Sequence, residues 1–291
     1  MDLILKGLSR SKAIRFMSAE VTAAANELAG RHGAGRAATL ALGEALAAAA
    51  LLSADGSRPD ESVQVQLRCD GALGGFHVEA TGTGELRGFT HVKSLPACDQ
   101  AEEPPAEMVM GRRGLLNVTV STPGKVLYSG QVEATPPNVR GALARYYNRS
   151  LQVPSGVELV VALEGDRLSR AVALVAQKMP DGDTETFVRI LEAFQDGTVR
   201  RKLQHPVEAE PTWAVFGLDD AETVDSRALR FQCRCNSEKV VGSLLSLSVS
   251  EIREMVDAGH PQEVTCHMCG EVYEIGEDVL LQVLTRKLQE R

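Results

Sequence analysis

No apolar run in this chain is long enough, as written, to cross a bilayer as a helix. The most apolar stretch, Leu40 to Leu52, is short for that purpose and carries Glu44. Lys6, Arg10, Lys12 and Arg15 are scattered, and no apolar run with a small-residue cleavage site follows them, so no secretory signal is read. The protein is therefore expected to be soluble, intracellular and cytoplasmic, with no membrane partner. An excess of positive charge is also missing. The formal net charge is −8, and an acidic chain repels phosphate backbones, so nucleic acid is not an expected partner. Catalytic motifs are missing too: there is no G-x-S-x-G, no H-E-x-x-H and no P-loop. Gly82-x-Gly84 lacks the third glycine of a dinucleotide fingerprint and reads as a hairpin turn. No catalytic residue is assigned, and the chain is not expected to be an enzyme. Internal repeats and low-complexity tracts are absent as well.

What is present is a globular composition. The 291 residues are 44% hydrophobic, enough for one large or two smaller domains with a substantial core. Residues 1–180 mix strands with helices without regular alternation, which suggests α+β. Lys12 to Ala19 reads as a strand. Val21 to His32 and Arg36 to Leu52 read as helices split by Gly33 and Gly35. Ser62 to Arg68, Phe76 to Ala80, Glu85 to Val92, Leu115 to Val120, Val126 to Glu133, Val157 to Glu164 and Leu168 to Gln177 read as strands. Pro137 is expected to start a short helix through Tyr146 and Tyr147. The fold expected is a mixed-sheet core with helices, then a helical linker, then a small C-terminal zinc-binding domain.

The linker is assigned to residues 181–230, where eleven acidic and six basic residues accompany few apolar runs. Phe187, Ile190, Leu191 and Phe194 follow i, i+3, i+4, i+7 spacing, one apolar helical face. The remainder resembles a tether or a weakly stable helical segment. The third segment is assigned to 231–291. Ser248 and Glu251 have capping-box spacing, Ile252, Met255 and Val256 form a stripe, Gly259 can close that helix, and Val279 to Leu288 mark a terminal helix.

Six cysteines in a reducing compartment are not a disulfide framework. Four of them form two close pairs: Cys233-x-Cys235, then thirty residues, then Cys266-x-x-Cys269-Gly270. Four soft thiolates suit one tetrahedral Zn²⁺. A tight turn between Val264 and Val272 would aim two sulfurs at one point, with Gly270 relieving the backbone. His267 lies between two ligands and reads as a solvated neighbour, because the cysteines complete the site. Cys69 and Cys98 have no partner motif and read as ordinary thiols. A closed four-ligand site is compatible with a structural zinc or with a switch. Two close pairs favour the switch, since each can close a local disulfide on oxidation, and metal binding supplies folding energy in a small module.

Phe231-Gln-Cys-Arg-Cys235, Val264-Thr-Cys-His-Met-Cys269 and the following Tyr273 resemble the redox-regulated heat-shock chaperone family, the zinc-containing chaperonin of the bacterial cytosol. The resemblance extends to Gly71-Ala-Leu-Gly-Gly75, Gly84-Glu-Leu-Arg-Gly-Phe89, Gly114-Leu-Leu-Asn-Val-Thr119, Tyr128-Ser-Gly-Gln-Val132, Tyr146 to Gln152 and Gln177-Lys-Met-Pro180. The chain departs from the family pattern at Leu151, at Ala171-Val172-Ala173 and at Asn236, where the family usually has Ser. The resemblance implies a holdase that binds unfolding client proteins without ATP and is inactive when reduced and zinc-loaded. It implies that oxidation forms Cys233–Cys235 and Cys266–Cys269 disulfides, releases zinc and unfolds the linker, and that the active form is a homodimer. Two rivals remain. One is a thiol–disulfide oxidoreductase using Cys266-x-x-Cys269, disfavoured because both cysteines serve as ligands. The other is a nucleic-acid zinc ribbon, disfavoured because residues 231–291 carry ten acidic and six basic side chains.

Overall fold

Two sheets enclose one apolar helix, and this arrangement follows from the alternating strands and the alanine-rich run between them. The computed structural model describes residues 1–56, 58–101, 105–205 and 210–289. Within the segments assigned from sequence, positions 57, 102–104, 206–209 and 290–291 lie outside the described residues. The chain divides into two compact units, Met1–Gln232 and Cys233–Arg291.

In the first unit a five-stranded sheet has the order β10-β1-β2-β9-β8. Its strands are β1 (Leu3–Ser9), β2 (Ile14–Glu20), β8 (Ser155–Glu164), β9 (Arg167–Lys178) and β10 (Ala221–Ala228). The six-stranded sheet runs β11-β5-β4-β3-β6-β7. It is built from β3 (Ser62–Cys69), β4 (Gly75–Thr81), β5 (Glu85–Thr90), β6 (Gly114–Thr122), β7 (Lys125–Ala134) and the two-residue β11 (Arg230–Phe231). Among the described residues all pairings are antiparallel except β11 with β5, so the six-stranded sheet is mixed, as expected of the core, and the five-stranded sheet is antiparallel.

Helix α1 (Thr22–His32) closes at Gly33, whose φ of 60° is the left-handed conformation a glycine adopts freely. Helix α2 (Arg36–Ala54) packs on β8 and β9 of one sheet and on β3, β4 and β5 of the other. It is buried on nearly every face, so its sequence has no polar stripe. Small residues let the sheets approach: a Cβ on Gly43 would sit 3.0 Å from Val161 Cγ1. The helix is longer than the Leu40–Leu52 run and long enough to cross a bilayer, yet 89% of its apolar window is buried inside this unit. The short helices α3 (Pro96–Asp99) and α4 (Ala106–Met110) follow β5, and Asp99 caps α2 by accepting from Ala37 N–H at 3.0 Å.

Sequence periodicity located β2 to β9 within a few residues, but three features differ. Leu3–Ser9 is a strand that the sequence reading did not assign. The helix after Pro137 is α5 (Val139–Arg145), capped by Asn138 rather than begun by proline, and it continues into a π-turn, Tyr146–Ser150. Segment 181–230 is helical only in its first half. Helices α6 (Thr184–Gln195) and α7 (Thr198–Gln204) and a 3₁₀ turn at Thr212–Phe216 precede the strand β10.

Phe187, Ile190 and Phe194 of α6 are buried, with Val199, Leu203 and Trp213, against Ile14, Phe16, Val160, Val172, Leu174 and Ala176 of the five-stranded sheet. The expected apolar face therefore covers the side of that sheet opposite α2. The second unit holds α8 (Ser237–Leu244), α9 (Val249–Asp257), the hairpin β12 (Gln262–Thr265) and β13 (Val272–Ile275), and α10 (Glu277–Gln289). Ser248 and Glu251 form the expected capping box on α9, and Gly259 follows that helix with φ 67°.

Candidate metal centre

The four C-terminal cysteines converge because two local structures aim them. Cys266 and Cys269 sit on the turn joining β12 to β13. Cys266 N–H donates to Glu271 O at 2.8 Å, and Gly270 N–H donates back to Cys266 O at 2.8 Å. Gly270 has φ 76°, so the expected glycine relief of this knuckle is present. Cys233 and Cys235 lie just before α8. Asn236 caps that helix by accepting from Lys239 N–H at 2.9 Å. Asparagine and serine both serve as N-caps, so the departure from the family pattern at Asn236 leaves this geometry intact.

The four sulfurs all lie within 4.8 Å of one another. Cys233 Sγ is 3.9 Å from Cys266 Sγ, and Cys235 Sγ is 3.5 Å from Cys269 Sγ. A tetrahedron with metal–sulfur bonds of about 2.3 Å has edges of about 3.8 Å, so the donor set fits one tetrahedral ion. All six cysteines are free thiols. Cys69 and Cys98 belong to the first unit and are not among the four. His267 is exposed and contributes no atom to the cluster.

Burial pushes the Cys269 thiol up, and the neighbouring sulfurs of Cys235, Cys233 and Cys266 raise it further. Burial raises Cys266 as well, with Cys233 adding to the effect. Packed thiols alone thus resist ionisation, and a divalent cation reverses that balance by deprotonating its ligands outright. A contact that the cysteine spacing does not announce supports the cluster: Tyr273 donates its hydroxyl to Cys235 Sγ at 3.1 Å. That bond, with burial, holds the Tyr273 hydroxyl above its usual range. Tyr273 was legible as part of the motif, but its role needed the hairpin pairing that sets it opposite Val264.

The family model described as Hsp33 protein matches residues 2–276. The chain belongs to the Hsp33 family. It is 30% identical to the 33 kDa chaperonin of Synechococcus sp. (strain JA-3-3Ab), over 97% of this chain and 90% of that protein. It is also 30% identical to the 33 kDa chaperonin of Deinococcus radiodurans, over 94% of each chain. The crystal structure of the 33 kDa chaperonin from Thermotoga maritima superposes with a TM-score of 0.87 over 99% of both chains, at 24% identity, which establishes the shared fold.

Proposed function

We propose that the protein is an ATP-independent chaperone of unfolding polypeptides, switched on by oxidation of Cys233, Cys235, Cys266 and Cys269. The observation that carries the reading is the tetrahedral spacing of four sulfurs in a unit whose apolar core is small. Membership of a family whose curated relatives are named chaperonins supports the holdase part.

Zinc is the ion the four thiolates suit, and when bound it supplies folding energy to residues 233–289. Oxidation removes the sulfurs as ligands. Each pair, Cys233 with Cys235 and Cys266 with Cys269, gives two electrons to one peroxide. Two thiolates become one disulfide while the peroxide takes up two protons and leaves as two waters. The 3.9 Å and 3.5 Å approaches run between the two halves, as coordination requires. Once coordination is lost, loop closure favours the sequence-local partners.

Loss of this module destabilises the three-part arrangement of core (1–180), metastable linker (181–230) and switch (231–291). Release of α6, α7 and Trp213 then uncovers apolar sheet surface for clients. The oxidised form acts as a homodimer in the cytoplasm, where reducing conditions restore the metal-bound state.

The test is light scattering of a thermally aggregating client enzyme. Suppression is expected from the peroxide-treated protein and not from the reduced, zinc-loaded one. Equal activity in both forms would reduce the cluster to a structural site. Catalytic turnover of a small disulfide would replace the reading by an oxidoreductase.

A further inference from the structure

Strand β10 is a weak occupant of a strong sheet edge. It pairs with the whole of β1, from Leu3↔Ala228 to Ser9↔Ala221, with a bulge that leaves Val224 unpaired and 49% exposed. Its sequence, Ala-Glu-Thr-Val-Asp-Ser-Arg-Ala, is poor in strand formers, and almost all of its side chains are in water. Surface ties hold it: Lys6 Nζ to Asp225 at 3.0 Å, Arg10 to Glu222 at 3.0 Å, and Ser9 Oγ to Asp220 at 2.7 Å. Few buried contacts and an exposed ladder mark a segment that opens at low free energy.

β1 is the opposite kind of strand. Ile4 is fully buried in the main core, and Leu5 packs with the Trp213 cluster on the other face, so apolar side chains flank the edge on both sides. Leu229 N–H donates to Asp2 O at 3.0 Å, and the main chains of Ile4 and Lys6, in step with Asp2, face Arg227 and Asp225. A long apolar edge of this kind pairs readily with another chain if left bare.

Other edges are closed by different means. On β7, Arg145 donates to the carbonyls of Glu133 and Thr135. On β5, His32 Nε2 bonds Gly88 O at 2.9 Å, and the two residues of β11 cover only Glu85 and Leu86. At β1 the cover is a strand as long as the edge itself, and it lies in the segment leading to Cys233 in the sequence.

We propose that β10 is a built-in substitute for the client, and that the β1 edge, once residues 221–232 are released, takes an extended stretch of non-native polypeptide as a replacement strand. Main-chain hydrogen bonds supply affinity without regard to sequence, and the flanking leucines favour apolar stretches. This rests on the chaperone reading above and names the surface at which the client sits.

The test follows amide exchange of Ile4, Lys6 and Leu8 in the full chain, with carboxymethylated, permanently unfolded α-lactalbumin as the probe. These amides are expected to exchange slowly in the reduced protein, at least about ten-fold faster after oxidation, and slowly again when the probe is added. A second arm needs no oxidant. Arg227→Pro removes the N–H that faces Ile4, so β10 should leave β1 in the reduced protein, and the probe should restore protection there. Ser226→Val with Ala228→Ile strengthens β10 and should lower probe binding several-fold with zinc release unchanged. If β1 stays protected while the oxidised protein suppresses aggregation, or stays open with the probe bound, the proposal is overturned. Protection that returns without probe as protein concentration rises assigns the edge to a second copy and equally overturns it. If oxidation fails to activate but Arg227→Pro binds the probe at β1, the redox reading fails and this one stands.

Discussion

The two units of this chain are held together by different physics. In the first, α2 lies between two sheets, and a second apolar layer of α6, α7 and Trp213 covers the outer face of one of them. In the second, the buried set is Val240, Leu244, Ile252, Ile275, Leu280 and Val283, a small core for Cys233–Arg291. Folds below about 70–80 residues usually need a staple, and four converging cysteines are one. A unit that depends on metal-bound sulfurs can be dismantled chemically while a burial-dependent one survives, and the switch proposed above rests on that difference.

The largest expected effect is loss of the staple. Cys266→Ser with Cys269→Ser should abolish metal retention and unfold residues 233–289, because structural zinc supplies on the order of 10 kcal/mol of folding free energy in such modules. Amide exchange should show the second unit open while α2 and the strands beside it stay protected. Elemental analysis showing one zinc per chain in that variant would break the comparison.

Next is the outer layer of the first unit. Trp213 stacks on Phe16 at 5.9 Å, and a Cβ on Gly7 would lie 2.6 Å from its ring, so the strand has been shaped to admit it. Among the described residues its indole N–H is buried without a partner, so its contribution there is packing. Trp213→Ala should cost about 3–5 kcal/mol, felt mainly as local opening of α6, α7 and the turn at Thr212–Phe216. Client holding under reducing conditions should rise, with zinc content unchanged. If exchange instead accelerates throughout α2, the outer layer is not a separable region.

How much of this was legible follows the same division. The cysteine spacing is a local signal, so the cluster could be read from sequence alone. Strands β3 and β5 alternate between buried and less buried positions and carry their pattern openly, whereas β8 and β9 are buried along most of their length and are legible as apolar runs flanking the Gly165-Asp166 turn. Strand β1 was missed because Leu3, Ile4, Leu5 and Leu8 do not alternate with polar residues, Ile4 lying in the main core and Leu5 against the Trp213 cluster. Strand β10 was missed because its acidic, exposed sequence carries no strand signal, and only pairing with β1 makes it one. Tertiary context decided both.

A smaller effect concerns pH and sits in the first unit alone. Burial pushes the Glu44 carboxyl up to about 7 against an ordinary 4.5, with Arg200 and Arg140 partly offsetting it. The folded chain therefore holds this proton more tightly than the unfolded one. The associated stability is present in full below about 4.5 and is lost as pH rises through about 7. Between these values the loss should be about 2 kcal/mol, discounted for the water that reaches this half-buried side chain. Thermal unfolding of the first unit across this range checks it, and Glu44→Gln should flatten the slope. An unchanged slope in that variant would assign the dependence to other groups.

The smallest effect tests whether the units are energetically separate. The carboxylate of Asp2 accepts from Ala23 N–H at 3.0 Å and Ala24 N–H at 2.7 Å, capping α1 from the residue that precedes β1. Its main-chain carbonyl accepts from Leu229, close to the end of the first unit. Asp2→Ala removes the cap and leaves the carbonyl, and loss of an N-cap costs about 1 kcal/mol. For a unit of this size that corresponds to a Tm lower by about 2–4 °C. Because the substituted carboxylate accepts its hydrogen bonds from α1, zinc affinity should be unaltered, as read by competition with a chromogenic chelator. A zinc affinity that falls in step with Tm would mean that the strap from Leu229 to Gln232 transmits stability between the two units even in the reduced protein. The two units would then have to be treated as one cooperative system.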